Sequence, residues 1–380
     1  MTSIIFTHSI AGHNMEYLHH IYDICRFKLS QKYVFVVPIE FEDIKSKMVW
    51  PAADNVTFDF ISETEKATYA NSSVLLQSFH LCKILNHRIR KYDANRVFAI
   101  TLMTLLPFAP FIIRSGVTID GIIYKIYLHL WKSTSAVKKI EYVIQYVFLS
   151  YSRIFKKIYI LNDSASVGTL NRLYRTSKFQ FLPDPYIPMS SDKLTDIRAE
   201  YNLSEGHRLF IHIGAMSVRK GTIAILDSLK YLTNEEKSKY VFLFAGKVLP
   251  DVYDEFYERV RLLLQTGCNI IVKDEFCSYE YFSSLCNACD CILIPYFETA
   301  QSSGIIGYAA QFERPVIASK YGLLGKLVRK YHLGLTTDCT SRNLTNLYQR
   351  IENWNGQGAA RKYCIDNSLQ AFQETIGAII

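Results

Sequence analysis

Between the run CILIPYF and the β-branched PVIAS, four residues, Gln301-Ser302-Ser303-Gly304, interrupt an otherwise apolar stretch. Small hydroxyl and amide groups bunched ahead of IIGYAAQ exceed what one helix cap requires. Helix starts present unpaired N–H groups and the positive end of the backbone dipole, so the pattern predicts an anion held there. A cation occupies a comparable place earlier in the chain. Arg219-Lys220 closes the loop AMSVRKG between the strand-like RLFIHIG and a helix. A solvated charge pair is the alternative reading, but a cation at a helix start is mildly unfavourable, which favours a ligand. Near the beginning, Gly12-His13-Asn14 follows the first strand-like run. There His13 is suited to act as a base toward a hydroxyl, and Glu16 is a second candidate. An ordinary strand–loop–helix with Asn14 as cap accounts for the same residues.

Other residues with chemical potential read more simply. His80, His87 and His129 have no partners visible in sequence and are expected to be structural or on the surface. The segment CNACDC, Cys286 to Cys291, contains one C-x-x-C without a second pair or histidines at ligand spacing, so buried cysteines at a helix-to-strand transition are expected. Nine scattered cysteines suit a reducing compartment. No metal site is expected, and no Asp-x-Asp stands at a strand end.

The elements that must position these groups alternate. Strand-like IIFTH, YVFVVPI, VTFDFI, RVFAITL, KIYILN and FQFLP are separated by helical segments. The pattern then restarts with RLFIHIG, VFLFAGK, NIIVKD, CILIPYF and PVIAS. Such alternation predicts mainly parallel sheets covered by helices on both faces. At 380 residues, two domains are expected, with Pro183 to Lys193 as the linker. No leader is expected ahead of TSIIFTHS. The uncharged stretch Val97 to Ile113 is short for a membrane span and carries Pro107 and Pro110. It reads as a buried strand, a turn and a short helix in a soluble protein.

The net charge is +8, and much of the basic excess is local: Lys125, Lys132, Lys138, Lys139, Arg153, Lys156 and Lys157 stand against one acid, Glu141. Within 138–157 a stripe of Ile140, Val143, Ile144, Val147, Phe148, Tyr151, Ile154 and Phe155 has helical spacing. The stripe either packs on its own sheet or, with its lysines, touches anionic lipid headgroups. Nucleic acid is not an expected partner, because the basic residues interleave with the stripe rather than line a groove.

From Lys178 to Leu335 the chain resembles the donor domain of GT-B glycosyltransferases, nearest the family 4 group. GAMSVRKG, VFLFAGK, the PY of ILIPYF, QSSGIIGYAAQFERPVIAS and YGLLGKLVRKYHLGL follow in the family's order and spacing. The resemblance implies two Rossmann-like, doubly wound parallel-sheet domains facing a cleft. Residues 1–185 would bind the acceptor, 186–360 the nucleotide-sugar, and 361–380 would form a C-terminal helix crossing back to the first domain. It implies transfer of a hexose-like sugar, without metal or further cofactor, from a UDP- or GDP-linked co-substrate to a glycan acceptor. A lipid-linked acceptor in surface polysaccharide assembly is expected, at a cytoplasmic location with peripheral contact to the inner face of the cell membrane.

Residue by residue, Lys220 matches the family's diphosphate-binding lysine, and Ser302, Ser303 and Gly304 match its phosphate-binding helix start. The arginine that usually follows the strand glycine is Ala215 here, and Arg219 is its substitute by reach. Gly214, Glu298, Gln301 and Tyr308 fall at donor sugar or nucleotide positions, with Gly12 and Asn14 near the acceptor. The family's two glutamates, spaced by seven, align with Ala300 and Tyr308, which leaves nucleotide identity and stereochemical outcome open. A noncatalytic GT-B-like subunit and a sugar-nucleotide epimerase are the alternatives.

Overall fold

The computed structural model describes residues 2–10, 14–45, 49–131, 134–300, 302–356, 358–378 and 380. It divides into two units, Met1–Pro183 with Gln370–Ile380, and Asp184–Leu369. The first contains strands β1 (Thr2–Phe6), β2 (Lys32–Pro38), β3 (Val56–Ile61), β4 (Arg96–Ala99), β5 (Thr118–Ile123), β6 (Phe155–Leu161) and β7 (Phe179–Leu182). They form one parallel sheet in the order β3-β2-β1-β4-β5-β6-β7. Runs such as TSIIF and KYVFVVP are apolar almost throughout because helices cover both sheet faces. Helices Val74–Lys91, Ala136–Tyr151 and Ser164–Leu173 contribute to the core on one face; Asn14–Arg26 and Leu369–Gly377 contribute to the other.

The chain's last helix thus completes the first unit's core. Phe372 stacks on Tyr17 with ring centroids 5.6 Å apart and meets His20 edge-on at 5.9 Å. The Lys28 amine donates to the carbonyls of Gly377 and Ile380, neutralising the helix's C-terminal end.

Two readings of the sequence change here. His129 does have a partner: its Nε2 lies 2.6 Å from Asp163 Oδ2, both side chains being buried. Asp163 also caps the Ser164–Leu173 helix, and these hydrogen bonds hold its carboxyl below the usual range despite burial. The stripe of 138–157 is not one helix. The helix ends at Tyr151, Ile154 packs against the core, and Phe155 opens β6, so Lys156 and Lys157 are exposed strand residues. The helix packs through Gln145, Tyr146, Leu149 and Ser150, while Val137, Ile140, Val143, Ile144, Val147 and Tyr151 are exposed. Residues 97–113 fold into β4, a 3-10 turn at Leu102–Leu105 and the short helix Ala109–Ile112. Among the described residues no helix is long and apolar enough to cross a membrane.

The second unit holds β8 (Arg208–Ile213), β9 (Tyr240–Ala245), β10 (Asn269–Lys273), β11 (Cys291–Ile294), β12 (Val316–Ser319) and β13 (Gly334–Thr337). Their order is β10-β9-β8-β11-β12-β13, again parallel. Cys286, Cys289 and Cys291 are buried where the Tyr279–Ala288 helix passes into β11, and burial pushes the Cys289 thiol up to about 12.

The C-terminal helix gives a direct prediction. Phe372→Ala should destabilise the first unit by about 3–5 kcal/mol, the usual cost of emptying a buried aromatic position. Urea unfolding of the full chain measures it. An unchanged midpoint would show that this helix contributes little to the core.

Candidate functional site

In the second sheet the strand order reverses between β8 and β11, the place where open α/β sheets form a crevice beyond their carboxyl ends. Gly214 ends β8 with φ +92°, and its N–H donates to Ala245 O at 2.9 Å. Gly246, at φ +135°, ends β9 so close to Gly214 that a Cβ on it would overlap the Gly214 carbonyl. Only glycine suits this approach. A Cβ on Gly214 would in turn collide with the Lys220 amine, so Lys220 occupies space that any larger residue would take. Its Nζ lies 3.4 Å from Ile213 O and 5.6 Å from the centre of the Tyr296 ring.

The short turn Val218–Lys220 that carries this amine is braced from several sides. Phe297 N–H donates to Arg219 O at 2.9 Å, and Gly221 lies against Pro295 O, joining the turn to the segment after β11. Buried His212, on β8, lies 2.8 Å from Leu293 O through Nδ1 and 3.1 Å from Thr222 Oγ1 through Nε2. Thr222 Oγ1 then accepts from Ser217 N–H at 3.0 Å. Burial lowers the His212 pKa to about 3, so at neutral pH the ring is an uncharged bracket rather than a competing cation. The Arg219 guanidinium lies 5.9 Å from the Tyr296 ring centre. Tyr296 is buried, and its hydroxyl has no partner among the described residues.

Beyond Tyr296, Glu298 is exposed and Ser303 is buried. The helix Ile305–Gln311 starts from Gly304, a residue with no side chain to cap it. In its first turn Ile306 N–H donates to Ser303 O and Gly307 N–H to Gly304 O, both at 3.0 Å, so the amides ahead of Ile306 are the ones placed at the helix mouth. Leu323 N–H donates to Thr299 O at 2.7 Å, and Gly322 packs over Thr299, fixing the loop before that mouth. Ala300 and Tyr308 are both buried. The Tyr308 ring lies between Tyr279, stacked at 6.3 Å, and Tyr186, edge-on at 6.5 Å.

The structure therefore brings Gly214, Arg219 and Lys220 together near Tyr296, and Glu298 and Ser302–Gly304 follow in the segment between β11 and the Ile305–Gln311 helix. Gln301, Gly12 and His13 lie outside the described residues. Asn14 is the first residue of its helix. Glu16, two residues on, is buried with its carboxylate 3.7 Å from His20 Nε2. In the first unit the order reverses between β1 and β4, and His8 stands there. Its Nδ1 is 3.1 Å from Thr101 Oγ1, and Tyr69 meets the ring edge-on. Burial lowers its pKa to about 4, which makes it a neutral hydrogen-bonding group and a weak base at pH 7. The histidine ending IIFTH was the available signal, masked by its apolar neighbours.

No family model matches the sequence, and no curated protein compared with it does so significantly. Similarity appears in three dimensions. WaaG, a glycosyltransferase involved in lipopolysaccharide biosynthesis, superposes with a TM-score of 0.71 at 12% identity, covering 100% of this chain and 99% of that one. Anabaena HepE, solved with UDP, gives 0.71 at 14% identity over 99% and 98% of the two chains. Sucrose-phosphate synthase from Thermosynechococcus elongatus gives 0.68 at 12% identity over 100% and 97%. The chain has the GT-B fold. Its GT-B domains are the seven-stranded and six-stranded parallel sheets described above.

The His212 bracket predicts a pH signature. A depressed folded pKa means that the unfolded chain takes up a proton near pH 6.5 that the folded chain refuses. The bracket's contribution is therefore complete above pH 6.5 and is lost as pH falls toward 3. Between pH 6 and 4, His212→Gln should show a stability slope shallower than wild type by about 1.4 kcal/mol per pH unit, the value for one proton. Urea titrations at stepped pH test this; parallel slopes would mean that the ring is protonated in both states.

Proposed function

We propose that the protein is a metal-independent glycosyltransferase that moves a hexose-like sugar from a nucleotide-sugar to a glycan acceptor. The carrying observation is the Lys220 amine resting on bare glycine backbone at the β8–β11 switch point, near Tyr296 of the segment that leads from β11 to the helix start at Gly304. As the bond between the anomeric carbon and the diphosphate oxygen breaks, negative charge grows on the leaving group. A fixed cation and aligned amides stabilise that charge more than they stabilise the intact donor. Lys220, Arg219 and the Ser302–Gly304 amides bind the diphosphate, while Gly214, Glu298, Gln301 and Tyr308 serve the sugar and nucleotide. The acceptor oxygen attacks the anomeric carbon, and its proton passes to a base, for which His13 and Glu16 are the candidates, or to the leaving phosphate. HepE, crystallised with UDP and with UDP-glucose, supports a UDP-linked donor over a GDP-linked one.

The exposed face of Ala136–Tyr151 supports a lipid-linked acceptor and peripheral attachment to the inner face of a membrane. Val137 is 78% and Ile140 62% exposed, with Lys138 and Lys139 on the same helix and exposed Lys156 and Lys157 on the following strand. Headgroup attraction is worth about 1 kcal/mol per basic residue and is screened by salt. A second reading, a noncatalytic donor-binding subunit, is favoured by one observation. The residues aligned with the paired glutamates, Ala300 and Tyr308, are both 4% exposed and belong to the interior.

Lys220→Ala should lower turnover by about 10²–10³, as loss of one charge-stabilising group does elsewhere, with the fold intact by circular dichroism. Near-normal turnover would remove Lys220 from the mechanism. On anionic vesicles, wild type should co-sediment at low salt, and Lys156→Glu/Lys157→Glu should do so less. If neither protein sediments, the membrane assignment fails and the acceptor need not be lipid-linked.

A further inference from the structure

The first sheet has its own switch point between β1 and β4, and one histidine bridges it. Parallel pairing runs one residue past the strand ends: Ile100 N–H donates to Phe6 O at 2.9 Å, and Thr7 N–H to Val36 O at 3.1 Å. Thr7 Oγ1 then donates to Ser9 O at 2.6 Å and accepts from Ser9 N–H at 3.3 Å, which closes a turn around His8. The imidazole is held from two sides. Thr101, just after β4, meets Nδ1, and the buried ring of Tyr69, from the helix Glu63–Ala70, lies nearly perpendicular with centroids 6.2 Å apart.

Nε2 is different. It makes no hydrogen bond among the described residues and keeps access to solvent. Buried His212 in the second unit engages both ring nitrogens internally, as a structural histidine does. His8 engages one and leaves the other open. Burial keeps the ring neutral at pH 7, with no charged group among the described residues contributing. A neutral imidazole donates through one nitrogen and accepts through the other, so Nε2 takes whichever role Nδ1 leaves. A hydroxyl both donates and accepts and therefore fits either tautomer. A carboxylate or phosphate fits only one, and an ammonium only the other. The polar side chains nearby, Ser9, Thr101 and Thr104, are half-buried hydroxyls, and that of Thr104 donates to Thr101 O at 2.7 Å. The set is uncharged and suits a polyol.

We propose that His8 positions the acceptor sugar: Nε2 hydrogen-bonds a hydroxyl of an uncharged saccharide lying over the carboxyl ends of β1 and β4. The role of acceptor rests on the transferase reading above, whereas the saccharide site rests on the geometry of the first unit alone.

Histidine side-chain nitrogen NMR on the full chain reads the site directly, the His8 signals being assigned by their loss in His8→Gln. Methyl glycosides of glucose, galactose, mannose and N-acetylglucosamine are the probes, glucuronate is the charged counterpart, and glycerol controls for hydroxyls alone. At least one glycoside should shift His8 Nε2 saturably, in wild type and Lys220→Ala alike, while the His212 signals stay in place and glycerol does not saturate. Its affinity should fall about 2- to 10-fold in His8→Phe, which keeps an aromatic ring but no hydrogen bond, and recover in part in His8→Gln. If His8→Phe fails to fold, the Nε2 shift and His8→Gln carry the test. The proposal is overturned if no glycoside moves Nε2, if glucuronate binds more tightly than every methyl glycoside, or if both variants bind as wild type does. A chain that shows the shift yet binds no nucleotide-sugar keeps the saccharide site and loses the transferase reading. One that binds a nucleotide-sugar without the shift loses this proposal alone.

Discussion

The position of the Lys220 amine depends on a close approach between two backbones. Gly214 and Gly246 end adjacent parallel strands, and neither tolerates a side chain where it stands. Because Gly214 is bare, the Lys220 side chain folds back over the end of β8, with its amine near the Ile213 carbonyl. The cation is consequently fixed by the fold instead of ranging through solvent. In the proposed transfer a charge fixed in this way would need little rearrangement, which is where catalytic stabilisation by electrostatics arises.

Interior contacts hold that geometry. His212, itself buried in β8, links β11 to the helix after Lys220, and Thr222 passes the link to the Ser217 amide. Phe297 ties the Arg219 carbonyl to the next loop, and Thr299 ties that loop to the segment after β12. The β8, β11 and β12 loops thus share one set of backbone hydrogen bonds. A substitution at His212 should loosen the turn carrying Lys220 although the imidazole itself is buried.

Much of the architecture was readable in the sequence because parallel strands covered on both faces must be largely apolar, and Ile4–Phe6, Val241–Ala245 and Cys291–Ile294 are. Lys220 stood out as a candidate for a different reason, since a cation before a helix is locally unfavourable and calls for an explanation. Long-range partners were not readable. His129 meets Asp163 from 34 positions away, and His8 meets Thr101 from 93. The reading of 138–157 failed at its end because Phe148, Tyr151, Ile154 and Phe155 keep a helical spacing across Ser152 and Arg153 although the helix stops at Tyr151; Ser152 marks the boundary through its extended backbone. Burial of Tyr308 between two other tyrosine rings likewise depends on packing that no local pattern reports.

The most direct measurement is thermal stabilisation by a panel of UDP-, GDP-, ADP-, dTDP- and CMP-linked sugars, each also presented as the free sugar. A donor site of the kind described predicts that one nucleotide class raises the melting temperature, the shift growing with concentration as binding to the folded state alone requires, while free sugars have no effect. A protein indifferent to every nucleotide-sugar at millimolar concentration would contradict the account, leaving the GT-B fold without the donor site assigned to it.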